Sequence, residues 1–176
     1  MPVRKHKKFS RPRKMFDAAL IKEENSLIKK YGLKSRREVW RASFAIAKIR
    51  NNAKKLITAN EEKKNEFVER QKSKGFNVST IADVLGLNKE NYLKRRLQSI
   101  VVSKKLAQTH KQARQFITHK HVKINGSRID SPSHLTTLDE EASLEMELKM
   151  PDKKDLSNEE KQFLKSMKPK DVEESN

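Results

Sequence analysis

A chain of 176 residues with 34% hydrophobic and 36% charged residues can bury one modest core or two small ones, and it leaves much charged surface. There is no cysteine, which excludes disulfides and thiolate zinc sites. Apolar runs such as "FAIA" (44–47) and "IVV" (100–102) are far too short for a membrane span or a signal-peptide core, so a soluble cytosolic or nuclear protein is expected.

The formal net charge is +18 and it is unevenly spread. Residues 1–60 carry 18 Lys and Arg against 4 Asp and Glu, residues 61–133 carry 16 against 7, and residues 134–176 reverse the sign with 7 against 12. Such an excess repels itself unless a polyanion is near, and nucleic acid is the natural partner. An anionic membrane is the rival, and the lack of apolar runs counts against it.

Residues 1–17 read as a basic extended arm. Pro2 and Pro12 discourage helix, and the many Lys, Arg and His residues leave little to bury, so the arm is expected to order on RNA. Residues 18–31 read as a helix ended by Gly32 at a carboxyl-cap position. Ser35 and Glu38 form a capping-box pattern that opens the next helix. After it Val39, Ala42, Ile46, Ile49, Ala53, Leu56 and Ile57 recur at spacings of three and four, one apolar stripe. The opposite face carries Arg37, Arg41, Lys48 and Lys55, within about 40° of one another at helical rotation. A run of charge is ordinarily a solvated face. Here all four have one sign and no acidic neighbour at i+4, which favours RNA contact.

Residues 60–75 read as a polar helix or a linker, ended by Gly75. "STIADVLGL" (79–87) reads as a short helical turn closed by Gly86, and Asn88 caps the next helical segment. Leu93, Leu97, Ile100 and Val101 fit the apolar face of one helix. "SKKLAQ" (103–108) turns the chain, and Thr109 with Gln112 caps a second helix that buries Ala113, Phe116 and Ile117. Val122 and Ile124 alternate as a strand, and Asn125-Gly126 is a hairpin signal. Ile129 falls on the returning strand, and "SLEMEL" (143–148) alternates once more. The acidic tail from Pro151 is expected to hold a short helix near 158–167, opened by Ser157 and Glu160. The expected fold class is α+β and mainly helical: a helical amino-terminal region over 18–92, then two helices on a small hairpin-based sheet over 93–150, then the tail over 151–176.

The run "LKRRLQSIVVSKKLAQTHKQARQFITHKHVKINGSRIDSPSHL" resembles the small RNA-binding module named after ribosomal protein S-four, the alpha-L motif. Its marks here are the "RRLQ" helix, the Thr-capped helix with "QAR", and "HKHVKINGSRIDSPS". Upstream, "YGLKSRREVWRASFAIAKIR" (31–50) resembles the archaeal and eukaryotic branch of the same small-subunit ribosomal protein family. The likeness covers about residues 30–140. It implies a ribosomal constituent that binds rRNA of the five-prime domain of the small subunit, helps assemble it, and lies near the mRNA entry channel with an influence on decoding accuracy. Its implied partners are small-subunit rRNA, neighbouring small-subunit ribosomal proteins and mRNA at the channel, with no cofactor, membrane or small-molecule substrate. The implied location is the cytoplasm, with a nucleolar stage in a eukaryote.

Two rRNA surfaces are expected on that basis. Arg36, Arg37, Arg41, Lys48 and Arg50 form one. The other comprises Arg95 and Arg96 as phosphate forks, Lys104, Lys105 and Lys111 as point charges, and Arg114. His121 and Lys123 continue the basic cluster. The helix beginning at Thr109 offers backbone N–H groups to a phosphate, and Gln112, Gln115 and Asn125 can bond sugars or phosphates. Gln112 has the plainer role of completing the cap, as Asn125 has in supplying the turn.

Two departures from the family matter. Bacterial members often have a cysteine zinc knuckle, which this chain lacks. Many eukaryotic members end in a basic Gly/Arg-rich tail where this one reads "DVEESN". Two other function classes also compete. The same module is appended to RNA-modifying enzymes, but the four glycines here form no nucleotide loop, His119 and His121 are two apart with His6, His110 and His134 scattered, and Asp139, Glu140 and Glu141 are adjacent and not facing. A paralogous processome factor that works with the U-three small nucleolar RNA resembles "RRLP" where this chain has "RRLQ" (95–98), and it lacks the "YGL…REVWR" wording.

Overall fold

A computed structural model describes residues 7–147. Residues 7–17 form neither helix nor strand. Asp17 then opens α1 (Ala18–Tyr31) by accepting the Ala19 N–H at 3.0 Å, and Gly32 in the left-handed region (φ 56°) closes it. The long helix α2 (Arg36–Leu56) comes next. It buries Val39, Ala42, Ile46 and Ala53 and leaves Ile49 and Leu56 partly covered. The expected apolar stripe therefore holds except at its end, where Ile57 lies past the last helical turn and is 52% exposed.

The capping box expected at the start of α2 does not form. The Ser35 side chain makes no cap bond, and Glu38 Oε1 instead accepts the Lys34 N–H at 3.2 Å. The same carboxylate also takes Arg96 and Arg114, so its oxygens serve those two guanidinium groups and the Lys34 N–H in place of the Ser35 N–H.

The polar segment 60–75 is a helix, α3 (Glu61–Ser73), not a linker. The short α4 (Ile81–Gly86) has a true capping box between Thr80 and Asp83. Ser79 and Thr80 donate to the Asp83 carboxylate, the Ser79 hydroxyl foremost, and hold it well below the usual carboxylate range. Phe67, Val68, Phe76, Val78, Val84 and Leu87 pack with Ile46 and Ala53 into one core, while Leu27, Tyr31, Leu33 and Leu93 pack with Val39 and Ala42 into another. Both cores thus lean on the same helix, α2.

The single helix expected across Leu93–Val101 is two, α5 (Lys89–Lys94) and α6 (Leu97–Ser103). Arg96 is extended (φ −72°, ψ 143°) and pairs with Leu135 in an antiparallel bridge. Leu97 N–H donates to His134 O at 2.8 Å, and Thr136 N–H to Arg95 O at 3.2 Å. Those bonds from the distant segment 134–136 replace helical ones. Hydrophobic periodicity does not reveal such a break, because the apolar positions stay in phase across it.

Thr109 caps α7 (His110–Thr118) by accepting the Gln112 N–H, as the sequence predicts. Ala113 and Ile117 are fully buried, and Phe116 is half-buried. The three-stranded antiparallel sheet has the order β2–β1–β3, from β1 (Val122–Ile124), β2 (Ser127–Arg128) and β3 (Leu144–Met146). Asn125 (φ 50°) and Gly126 (φ 76°) make the turn of the hairpin, whose left-handed positions these two residue types accept at least cost. Ile129 extends the ladder by donating to Val122 O at 3.1 Å. A one-turn helix, α8 (Leu138–Ala142), with a Thr137–Glu140 capping box, leads into β3. The third core fills the space between these helices and the sheet, with Leu97, Ile100, Val101, Ala113, Ile117, Val122, Ile124 and Leu144.

The architecture is the expected α+β, mainly helical one. No helix among the described residues is long and apolar enough to cross a membrane. The helix expected near 158–167 lies outside the described residues.

Candidate nucleic-acid interface

Helix α2 sorts its cations by face. Arg37, Arg41, Lys48 and Lys55 are all exposed, and none has a hydrogen-bond or ion-pair partner among the described residues. From Arg37 to Lys55 the stripe runs about 27 Å at 1.5 Å per residue. The sole acid of α2, Glu38, points away from it, into the interior. Among the described residues, nothing on this face neutralises the charge.

The other arginines of the first expected surface have inward work. Arg36 Nε donates to Glu24 Oε2 at 2.6 Å, and Trp40 Nε1 donates to Glu24 Oε1 at 2.7 Å. Glu24 is only 2% exposed, so α1 and α2 are joined by a buried carboxylate with two donors. The Arg36 guanidinium also sits 5.6 Å over the Trp40 ring. Arg50 Nη2 donates to Leu87 O at 2.5 Å and reaches Asn88 Oδ1 at 3.5 Å, closing the turn between α4 and α5.

The second surface divides the same way. Arg96 is 4% exposed, and its Nη2 lies 2.6 Å from Glu38 Oε2. Arg114 Nη2 takes Glu38 Oε1 at 3.1 Å. One carboxylate thus ties α2, the α5–α6 junction and α7 together. Burial alone would raise the Glu38 carboxyl, and the hydrogen bonds from Arg114 and Arg96 outweigh it, so the group stays below the usual range. Arg95 donates through Nε to Lys74 O at 3.0 Å and through Nη2 to Thr136 O at 3.1 Å, and pairs through Nη1 with Glu141 at 2.7 Å. Gly75 makes room for it: a Cβ there would stand 2.2 Å from the Arg95 guanidinium carbon, and its φ of 73° disfavours any side chain. Arg95 and Arg96, read from sequence as phosphate forks, are fasteners of the fold in this structure.

What remains open to a partner at this end is smaller. Lys105 and Lys111 are exposed without partners among the described residues, and the Gln115 side chain is exposed on α7. Lys104 Nζ bonds Glu141 O. Thr109 holds the α7 cap, and Gln112 Oε1 accepts the Gln108 N–H at 2.9 Å, so both take the plainer role the sequence allowed. The His121 ring meets Phe116 edge-on at 6.2 Å and stacks with His119 at 6.3 Å. Lys123 lies mid-strand in β1, between Arg128 of β2 and Glu145 of β3. Among the described residues no three His, Asp or Glu side chains converge on a metal-sized site.

Two residues were missed by sequence reading. Glu38 had a signal, as the one acid in a helix with seven cations, but the capping pattern offered a local reading. Gln98 had no usable signal. It is 1% exposed, and its Nε2 donates to Tyr31 O (3.2 Å), Gly32 O (3.1 Å) and His110 O (2.7 Å). It fixes the end of α1 against the start of α7.

Residues 95–141 match the model of the S4 domain, which spans the α5–α6 junction, α7, the hairpin and most of α8. The chain is 40% identical over 149 residues to a protein of Korarchaeum cryptofilum named small ribosomal subunit protein uS4, covering 81% of this chain and 90% of that one. The uS4 of Thermoplasma volcanium is 43% identical over 139 residues, 74% of this chain and 70% of the relative. That of Methanoregula boonei is 36% identical over 161 residues, covering 85% and 87%. With that identity running from the helical region through the S4 domain, the chain belongs to the uS4 family of small ribosomal subunit proteins.

Proposed function

We propose that the chain is a non-enzymatic structural constituent of the small ribosomal subunit that binds small-subunit rRNA. The observation that carries the reading is the outer face of α2, where Arg37, Arg41, Lys48 and Lys55 stand exposed and without a partner among the described residues while the helix turns its only acid inward. An RNA helix offers phosphates and 2′-hydroxyls in a regular array and is gripped largely by shape and charge, which a helical stripe of like charges supplies. Lys105, Lys111 and Gln115 of the S4 domain form a second, smaller patch. The names of the relatives support a place in the small subunit, among rRNA and neighbouring ribosomal proteins.

The finer reading rests on the family resemblance. The chain engages the five-prime domain of the rRNA early in assembly, and in the finished cytoplasmic subunit it lies near the mRNA entry channel and influences decoding accuracy. Sedimentation of a tagged chain, with RNA sequencing of the fractions, tests the reading. Co-migration with mature small subunits and translating ribosomes is expected. Confinement to nucleolar precursors carrying small nucleolar RNA would make the chain an assembly factor instead.

A further inference from the structure

We propose that Phe16 is a nucleobase-stacking residue, set to receive one unpaired nucleotide of the RNA that the chain binds; the inference rests on the RNA-binding reading above. Phe16 is 91% exposed, and among the described residues no other large hydrophobic side chain approaches this. It precedes the amino cap Asp17 of α1, where an apolar residue ordinarily packs back on the fourth helical residue, here Ile21. That burial is available within one turn and is not used.

The ring is exposed although the backbone carrying it is held on both sides. Upstream, the Phe9 ring stacks on Trp40 at 6.3 Å and 28°. Beside it, Arg36 Nη2 reaches Met15 O at 3.5 Å. Downstream, Asp17 accepts the Ala19 N–H at 3.0 Å, and Ile21 N–H donates to Asp17 O at 2.9 Å. A fixed base with a free ring is preorganised for contact and gives up little entropy on binding.

The surroundings select RNA over a protein partner. Arg11, Arg13 and Lys14 are exposed and have no partner among the described residues. The one acid beside Phe16, Asp17, is directed to the helix N–H groups. Cations that track a phosphate backbone with an aromatic face among them are what single-stranded RNA requires, because every base has a π-face to stack. A protein surface that covered Phe16 would have to bring acids or lose the solvation of three cations.

The experiment uses the full chain and a transcript of the five-prime domain of small-subunit rRNA from the same organism. Binding and single-nucleotide chemical reactivity are compared for the wild type and Phe16→Ala, Phe16→Leu and Phe16→Tyr, with thermal unfolding as the check on folding. Ala and Leu are expected to weaken binding by about 5- to 100-fold. They are also expected to expose one unpaired nucleotide to modification, with no change in salt dependence, and Tyr is expected to retain both properties. Leu behaving as the wild type would mean that the ring serves only as an apolar plug, and the proposal would fall. Wild-type binding with no difference among the variants would also overturn it while leaving the RNA-binding reading intact. Failure of the wild type itself to bind the transcript would overturn both.

Discussion

The outer face of α2 and the junction around Glu38 are built from the same residue types and put them to opposite uses. On the outer face, four cations stand along the helix with no partner among the described residues. At the junction, on the inward side, Arg96 and Arg114 converge on one carboxylate, and Arg95 spans Lys74, Thr136 and Glu141. Position in the fold decides which use applies. A guanidinium stays charged even out of water, so it is buried only where a matched acid or carbonyls replace the lost solvent, whereas one at the surface stays solvated until a polyanion arrives. In a chain of net charge +18, few acids are available, and this fold places Glu24 and Glu38 where they anchor buried arginines.

The comparison breaks most sharply at Glu38. Removing it in Glu38→Ala leaves Arg96, 4% exposed, without an anion, and should cost about 3–5 kcal/mol by chemical denaturation. A loss below about 1 kcal/mol, the usual worth of a surface pair, would mean that the junction is no different from the outer face. Gln98→Ala should cost less, about 1–3 kcal/mol, because three carbonyls lose a buried donor. An unchanged midpoint would show that water replaces the amide.

The outer face should respond in the other coordinate. Replacing Arg37, Arg41, Lys48 and Lys55 together by alanine should leave stability within about 0.5 kcal/mol per site. The same change should reduce the slope of log K against log salt for rRNA binding by about 0.7–0.9 for each lost phosphate contact. Arg96→Ala should do the reverse, lowering stability while a chain that remains folded keeps the wild-type slope. An unaltered slope in the fourfold variant would remove α2 from the interface.

The division between these two regions was half legible in the sequence. The periodicity of Val39 through Leu56 gave the buried side of α2 and so the cationic side. The Thr109 cap, the Asn125-Gly126 turn and the alternation of Val122 and Ile124 gave the second helix and its hairpin. These signals are local, readable within one turn or one strand. What could not be read depends on contacts far apart in the chain. Arg96 and Leu135 are separated by 39 positions, and their bridge breaks a helix that its own apolar pattern would continue. Arg114 and Glu38 are separated by 76, so nothing near Arg114 reveals that its charge is already matched. An arginine bound for RNA and one bound for a buried glutamate look alike in sequence.

The smallest expected effect concerns pH, and it isolates Glu38 from the other acids. Its folded value is lowered: burial opposes ionisation, and the bonds from Arg114 and Arg96 more than offset it. A carboxyl depressed in the folded state stabilises the fold above its unfolded value of about 4.3, and that contribution is lost as pH falls through the folded value. Glu90, Glu140 and Asp83 are lowered too, so acid destabilises the wild type through several groups at once. The difference between wild type and Glu38→Gln removes those shared contributions. At neutral pH the gap should be widest, since Gln places an amide donor against two guanidinium groups. The gap should begin to narrow as pH falls below the unfolded carboxyl value of about 4.3 and go on narrowing toward the lowered folded value, where protonation of Glu38 makes the wild type resemble the variant. Urea midpoints of both proteins from about pH 7 to about pH 3 measure it, a range that brackets the usual carboxylate value. A gap that stayed constant across that range would show that Glu38 acts there through shape and packing, and the matched charge would lose its place in the contrast with α2.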